Sequence, residues 1–181
     1  MSERAKMLAG ELYDASDPEL VAARRRAREV LARYNARPDV SLLEELFERL
    51  GANGVIEPPF HCDYGTNVSI GDDFYANVGC VFLDCARIEI GDRVLFGPNV
   101  QLYAATHPVE AEARRVGLEY ALPITIGDDV WLGGAVVVVP GVTIGERAVV
   151  GAGSVVTKDV PAEVVAAGSP CRPLHELEGV T

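Results

Sequence analysis

Ile126-Gly127-Asp128-Asp129-Val130-Trp131-Leu132-Gly133-Gly134-Ala135-Val136-Val137-Val138 opens a stretch that repeats every six residues as far as Val160. Stepping by six from Ile126 gives Leu132, Val138, Ile144, Val150 and Val156, all aliphatic. Four residues beyond each lead stand Val130, Val136, Val142, Ala148, Ser154 and Val160, which are small or β-branched. Gly127, Gly133, Gly145 and Gly151 directly follow four of the leads. A helix repeats at 3.6 residues and a strand at two, so neither produces this pattern. A hexapeptide period marks a parallel β-helix. Each coil there is too small to bury its own inner face and does so by stacking on the next.

A longer signal runs outward from that stretch. Ile-Gly-Asp occurs at Ile70, Ile90 and Ile126, and Ile144-Gly145-Glu146 echoes it. The spacings are 20, 36 and 18 residues. Eighteen is one coil of three hexapeptides, 20 reads as a coil with two residues inserted, and 36 as two coils. The repeat breaks once, after Leu102-Tyr103. Residues 104–123 hold His107-Pro108, Arg114-Arg115 and Pro123 but no clean hexapeptide, which predicts an excursion loop on a rigid base.

Before residue 52 the pattern is helical. Asp17-Pro18 reads as an N-cap followed by proline in the first turn. Leu20, Ala23, Ala27, Val30, Leu31 and Tyr34 then follow at helical spacing. A second helix is expected from Ser41, with Glu44 completing a capping box, to Gly51. The run Arg24-Arg25-Arg26 reads as a solvated helix face. The chain thus divides into a helical segment (1–51), an all-β solenoid (52–161) and a tail (162–181).

With 49% apolar and 24% charged residues, the composition is that of a globular protein able to bury a core. Sixteen basic and 27 acidic residues give a net charge of -11, a surface that repels nucleic acid and anionic membranes. An anionic ligand would need a local cluster of cations. Cys62, Cys80, Cys85 and Cys171 form no C-x-x-C pair, and the polar start from Met1 to Met7 shows no signal-peptide pattern. The expectation is a cytoplasmic protein with reduced cysteines and no membrane span.

Of three histidines, His107 stands where the regular coil breaks. A neutral imidazole is suited to taking a proton at neutral pH. A histidine capping a strand edge would occupy the same place, and position alone leaves both readings open.

Several motifs together carry a resemblance. They are Cys62-Asp63-Tyr64-Gly65, Tyr75-Ala76-Asn77, Ala105-Thr106-His107-Pro108, the run from Ile124 to Gly134, Pro140 to Gly145, and Gly151 to Pro161. This chain resembles the maltose and galactoside O-acetyltransferases among the hexapeptide-repeat acyltransferases. Met7-Leu8-Ala9-Gly10-Glu11-Leu12-Tyr13 is similar to the helical segment of the maltose branch. The resemblance spans nearly the whole chain. It implies a left-handed coil, a handedness the period does not supply, and transfer of acetyl from acetyl-CoA to a glucose- or maltose-like sugar.

Carried over residue by residue, the resemblance makes His107 the general base and Asn77 an acceptor-orienting amide. Asp63, Tyr75 and Asp84 stand around the sugar. Trp131, Gly134, Ala152, Thr157, Lys158 and Arg172 meet the cofactor, with a backbone N–H near Gly134 facing the oxyanion. Lys158 and Arg172 would supply the local cations that an acidic protein needs for an anionic cofactor. No metal is implied, and the family's homotrimer with sites between subunits is. Val78-Gly79-Cys80 departs from the aromatic and polar residues usual after the asparagine, which bears on which sugar fits.

Other readings stay open. Antibiotic-inactivating acetyltransferases share the fold and the histidine, and a non-catalytic hexapeptide scaffold shares the fold alone. A metal-dependent carbonic anhydrase of the γ type needs three histidine ligands, and Glu112 stands five residues after His107. A covalent route through Cys80 or Cys85 finds no histidine nearby in sequence to activate the thiol.

Overall fold

The computed structural model describes residues 1–177, so residues 178–181 of the expected tail lie outside the described residues. From Arg49 onward the chain coils as a triangular prism whose three faces are built from strands of two or three residues until the longer last two. The first face stacks Arg49–Leu50, Val68–Ile70, Ile88–Ile90, Ile124–Ile126 and Thr143–Ile144. The second stacks Val55–Ile56, Tyr75–Ala76, Leu95–Phe96, Trp131–Leu132, Val149–Val150 and Val164–Gly168, and Cys171–Glu176 folds back antiparallel on the last of these. The third stacks His61–Cys62, Val81–Leu83, Gln101–Tyr103, Val137–Val138 and Val155–Val156. All pairing from coil to coil is parallel, and the whole is a left-handed parallel β-helix.

The hexapeptide leads are what the coil needs inside. Ile126, Leu132, Val138, Ile144, Val150 and Val156 are each 2% exposed or less, and the residues four further on line the same core. In the earlier coils the core is aromatic. Phe47, Phe60, Phe82, Phe96 and Phe74 form one edge-to-face series with centroids 5.0–6.0 Å apart.

The Ile-Gly-Asp motif builds the edge between the first and second faces. Its isoleucine enters the core. Its glycine has no room for a side chain: a Cβ on Gly71 would lie 2.6 Å from the backbone carbon of Gly91 in the next coil. Its aspartate caps the coil below. The N–H groups of Ala52, Asp72 and Asp92 donate to Oδ1 of Asp72, Asp92 and Asp128 at 2.8–2.9 Å. These are corner donors that no strand can satisfy.

Ile90 pairs directly with Ile126, so the 36-residue spacing is not two coils. It is one coil with a whole excursion inserted. The excursion and the two-residue insertions of the earlier coils all leave from the same edge, between the third and first faces, around 63–67, 84–87 and 104–123.

The helical segment closes one end. Helix α1 (Glu3–Leu8) is followed by a strand, Tyr13–Asp14. Helix α2 (Pro18–Ala36) is capped by Asp17 and buries Leu20, Ala27, Val30, Leu31 and Tyr34. Its far end is pinned to the first coil. Asn35 exchanges two 2.9 Å hydrogen bonds with the backbone of Phe60, and the Tyr34 hydroxyl donates to the Ile56 carbonyl. Helix α3 runs Val40–Leu46, not Ser41 to Gly51. Asp39 is its cap, taking the N–H and hydroxyl of Ser41 at 3.0 and 2.8 Å, so Ser41 is donor and not acceptor. The helix stops because Phe47 turns inward onto Phe60, and Arg49–Leu50 is already the first strand of the solenoid.

Candidate active site

The solenoid gives each expected residue a place by its phase in the coil. Asn77, Gly134 and Ala152 lie on the edge between the second and third faces, Ala152 one coil beyond Gly134 and Gly134 two coils beyond Asn77. Half-buried Asn77 accepts the N–H of Val78 on Oδ1 at 2.8 Å, and its amide nitrogen has no hydrogen-bond partner among the described residues. On the Ile-Gly-Asp edge the equivalent corner N–H groups of Ala52, Asp72 and Asp92 are capped by the aspartate one coil above. Here the residue above Gly134 is Ala152, which carries no acceptor. Among the described residues the N–H groups of Gly134 and Ala152 therefore donate to nothing. Two such open donors suit an oxygen that develops charge.

Beside that edge, the second face turns a row of apolar side chains outward. Val55, Tyr75, Leu95, Trp131 and Val149 are in register across consecutive strands. Val55, Leu95 and Trp131 are 46%, 47% and 53% exposed. Leu95 escaped the sequence reading, because an isolated leucine in a repeat of aliphatics gives no signal until its phase is known.

The opposite edge, between the third and first faces, holds the rest. The excursion leaves it as a hairpin of Ala105–Thr106 and Leu118–Ala121, with exposed His107 just beyond the first strand. Arg114 ties the loop that follows His107 by donating to the carbonyls of Pro108 and Val109 at 3.1 and 2.9 Å. Exposed Thr157 and Lys158 stand on this edge two coils further along, and Lys158 makes no ion pair among the described residues. Arg172 is exposed on the terminal antiparallel strand opposite Ala167.

Asp63 and Asp84 also lie on this edge, in different states. Asp84 is fully buried. Its Oδ1 accepts the N–H groups of Asp63 and Tyr64 at 3.0 and 2.8 Å, and Oδ2 has no partner. Burial pushes its carboxyl up to about 6. Asp84 thus stands behind the surface and shapes the Asp63 corner from within. Asp63 is half-buried, with its carboxyl also raised by burial and opposed by Arg24 and Arg28.

Arg24 corrects the sequence reading of the arginine run. Arg25 and Arg26 are exposed and face Glu29 and Glu45. Arg24 turns inward, donating to the Tyr64 hydroxyl and the Ala15 carbonyl at 2.6 Å each. Tyr13 and Glu119, joined by a 2.9 Å hydrogen bond, were missed as well. Nothing in the linear sequence links residues 106 positions apart.

In one chain, then, the structure gathers His107, Asp63, Asp84, Thr157 and Lys158 along one edge. It gathers Tyr75, Asn77, Trp131, Gly134 and Ala152 along another, with the third face between them. Among the described residues, no three His, Cys, Asp or Glu side chains group as metal ligands, and no helix is long and apolar enough to cross a membrane.

Comparison with known proteins matches both parts of the chain. Residues 6–51 fit the maltose acetyltransferase hexapeptide capping motif, and residues 123–158 fit the bacterial transferase hexapeptide family of six repeats. The galactoside O-acetyltransferase of Escherichia coli K12 is 44% identical over 183 residues, covering 98% of this chain and 89% of that one. Among solved structures, a maltose O-acetyltransferase from Clostridium difficile 630 superposes with a TM-score of 0.97 at 44% identity, covering 99% of each chain. A hexapeptide-repeat acetyltransferase from Vibrio cholerae O1 biovar eltor, complexed with acetyl coenzyme A, gives a TM-score of 0.92 at 43% identity, covering 99% of this chain and 100% of that one. A helical cap of the maltose type on a hexapeptide solenoid, with similarity to these enzymes over nearly the whole chain, means that the chain belongs to the maltose and galactoside O-acetyltransferase family.

Proposed function

We propose that this protein transfers acetyl from acetyl-CoA to a hydroxyl of a glucose- or maltose-like sugar, with His107 as general base, in sites between the subunits of a cytoplasmic homotrimer. The observation that carries this reading is the division of the site between two edges. A second copy that sets its second face against the excursion of the first would bring Asn77, Gly134 and Trp131 opposite His107 and Asp63. The same contact would cover the exposed row of Val55, Leu95 and Trp131, an apolar strip of the kind that marks interaction surfaces. A closed ring of three copies repeats this heterologous contact without leaving an open end.

In such a site His107 takes the proton of the sugar hydroxyl while the oxygen attacks the thioester carbonyl. The negative charge moves to the carbonyl oxygen, toward the uncapped N–H of Gly134. Collapse breaks the carbon–sulfur bond, and the imidazolium returns the proton to the leaving thiolate. Lys158 and Arg172 supply positive charge for the anionic part of the cofactor, and Trp131 supplies an apolar surface. Asp63 and the Asn77 amide are placed to hold sugar hydroxyls.

Direct transfer is favoured over an acetyl-cysteine. Burial pushes the Cys80 thiol up to about 11 and Cys85 higher still, so neither offers a thiolate at neutral pH.

Release of free CoA thiol from acetyl-CoA, measured with glucose, maltose, a galactoside and buffer alone, tests the reading. Sugar-dependent release is expected, strongest with glucose or maltose. Release only with antibiotic hydroxyl acceptors would overturn the sugar assignment. No binding of acetyl-CoA would overturn the enzymatic reading altogether.

A further inference from the structure

The excursion is built as a three-stranded antiparallel sheet. Its spatial order is Tyr13–Asp14, then Leu118–Ala121, then Ala105–Thr106. Ala105 pairs with Ala121 and Thr106 with Tyr120, and the same register continued one residue past the paired strand sets His107 abreast of Glu119. On the other side of the same strand, Tyr13 pairs with Glu119. Residues directly opposed across antiparallel strands project to one face. One rung therefore carries Tyr13, Glu119 and His107 on the same side.

The middle of that rung is fixed from below. Tyr13 is fully buried, and its hydroxyl donates to Glu119 Oε2 at 2.9 Å. Burial holds the phenol far above its ordinary range, so it remains a donor at every working pH. With Oε2 committed, Oε1 is the oxygen left for a neighbour. The groups facing Glu119 from other elements are Asp63 and Cys85 of the solenoid edge, both held above their ordinary ranges mainly by burial. Arg24 and Arg28 of α2 act on Asp63, and Arg114 is held on the loop after His107 by the Pro108 and Val109 carbonyls. His107 is the one group on the rung that gains a proton during the proposed reaction.

We infer that Glu119, anchored by Tyr13, is the positioning residue for His107: its carboxylate accepts one ring N–H and leaves the other nitrogen free to take the acceptor's proton. This deepens the function proposed above and rests on it. A carboxylate so placed fixes the imidazole tautomer and stabilises the imidazolium, while itself remaining ionised. The hydroxyl proton passes to His107 and from there to the departing thiolate, so the account balances without a proton on Glu119. It also gives the N-terminal strand a role in catalysis, since removing Tyr13 frees the carboxylate.

The test is Glu119→Gln, which keeps the shape and removes the charge, with Tyr13→Phe beside it. The nitrogen chemical shifts of labelled histidine would be titrated in the free enzyme. Loss of the negative charge is expected to move that titration to lower pH. The acid limb of the kcat/KM profile should move the same way. We expect kcat to fall by about tenfold or more with KM for acetyl-CoA unchanged, and Tyr13→Phe to shift both readouts less in the same direction. An unmoved His107 titration with unchanged kcat would overturn the inference. So would an unmoved titration with a raised KM for the sugar alone, which would make Glu119 an acceptor ligand. If His107→Ala retained full activity the underlying reading would fail, whereas an inert Glu119→Gln beside a dead His107→Ala sinks only this inference.

Discussion

His107→Ala is expected to cut sugar-dependent release of CoA thiol by about 10²–10⁴-fold, the range that a positioned general base contributes. The loss should fall on kcat. His107 is exposed at the mouth of the hairpin, and the residues that hold the hairpin are elsewhere, in the strand pairing and in Arg114. KM for acetyl-CoA and the melting temperature should therefore stay close to wild type. Initial rates over a range of both substrates, with a melting curve on the same samples, check this. Retained activity would remove the histidine from the mechanism, and a collapsed melting temperature would make it structural.

The second large effect is on stability. Phe82→Ala should destabilise the fold by about 3–5 kcal/mol, the usual cost of truncating a buried phenylalanine. Phe82 is fully buried at the middle of the aromatic series, 5.0 Å from Phe60 and 6.0 Å from Phe96. The neighbouring backbones are locked in coil-to-coil ladders and cannot close over the void. The melting midpoint should fall by roughly 10 °C at fixed protein concentration. Val138→Ala, one coil layer beyond the aromatic series, removes fewer atoms and should cost less. Equal losses for the two would mean that the Phe82 ring contributes no more than a valine side chain.

The sequence was most legible where the coil is simplest. From Ile126 to Val156 each lead position is aliphatic, so the six-residue period stands out. In the earlier coils Phe60, Phe74, Phe82 and Phe96 replace the aliphatics, and longer corners at Asp63 and Asp84 break the phase. The Ile90 to Ile126 spacing was misread because the inserted excursion has the length of one coil. Period counting cannot tell a coil from an insertion of equal length.

The site divided along similar lines. As candidates, His107 was legible because the repeat stops there, and Gly134 and Lys158 because their motifs carry a family resemblance. The fall of Asn77 and His107 on different edges follows only once each is assigned to the corner after its strand. Arg24, Tyr13 and Glu119 depend on packing between the helical segment and the excursion, which no local pattern records.

The shared site is the central claim, and mixing two inactive variants tests it most directly. His107→Ala and Asn77→Ala, each inactive alone, would be coexpressed and the mixed oligomers assayed for sugar-dependent thiol release. If each site takes His107 from one subunit and Asn77 from its neighbour, random assembly leaves about a quarter of the sites intact, so about a quarter of wild-type activity should return. Activity no higher than the sum of the two variants would contradict the account, and would place both residues in a site within one chain.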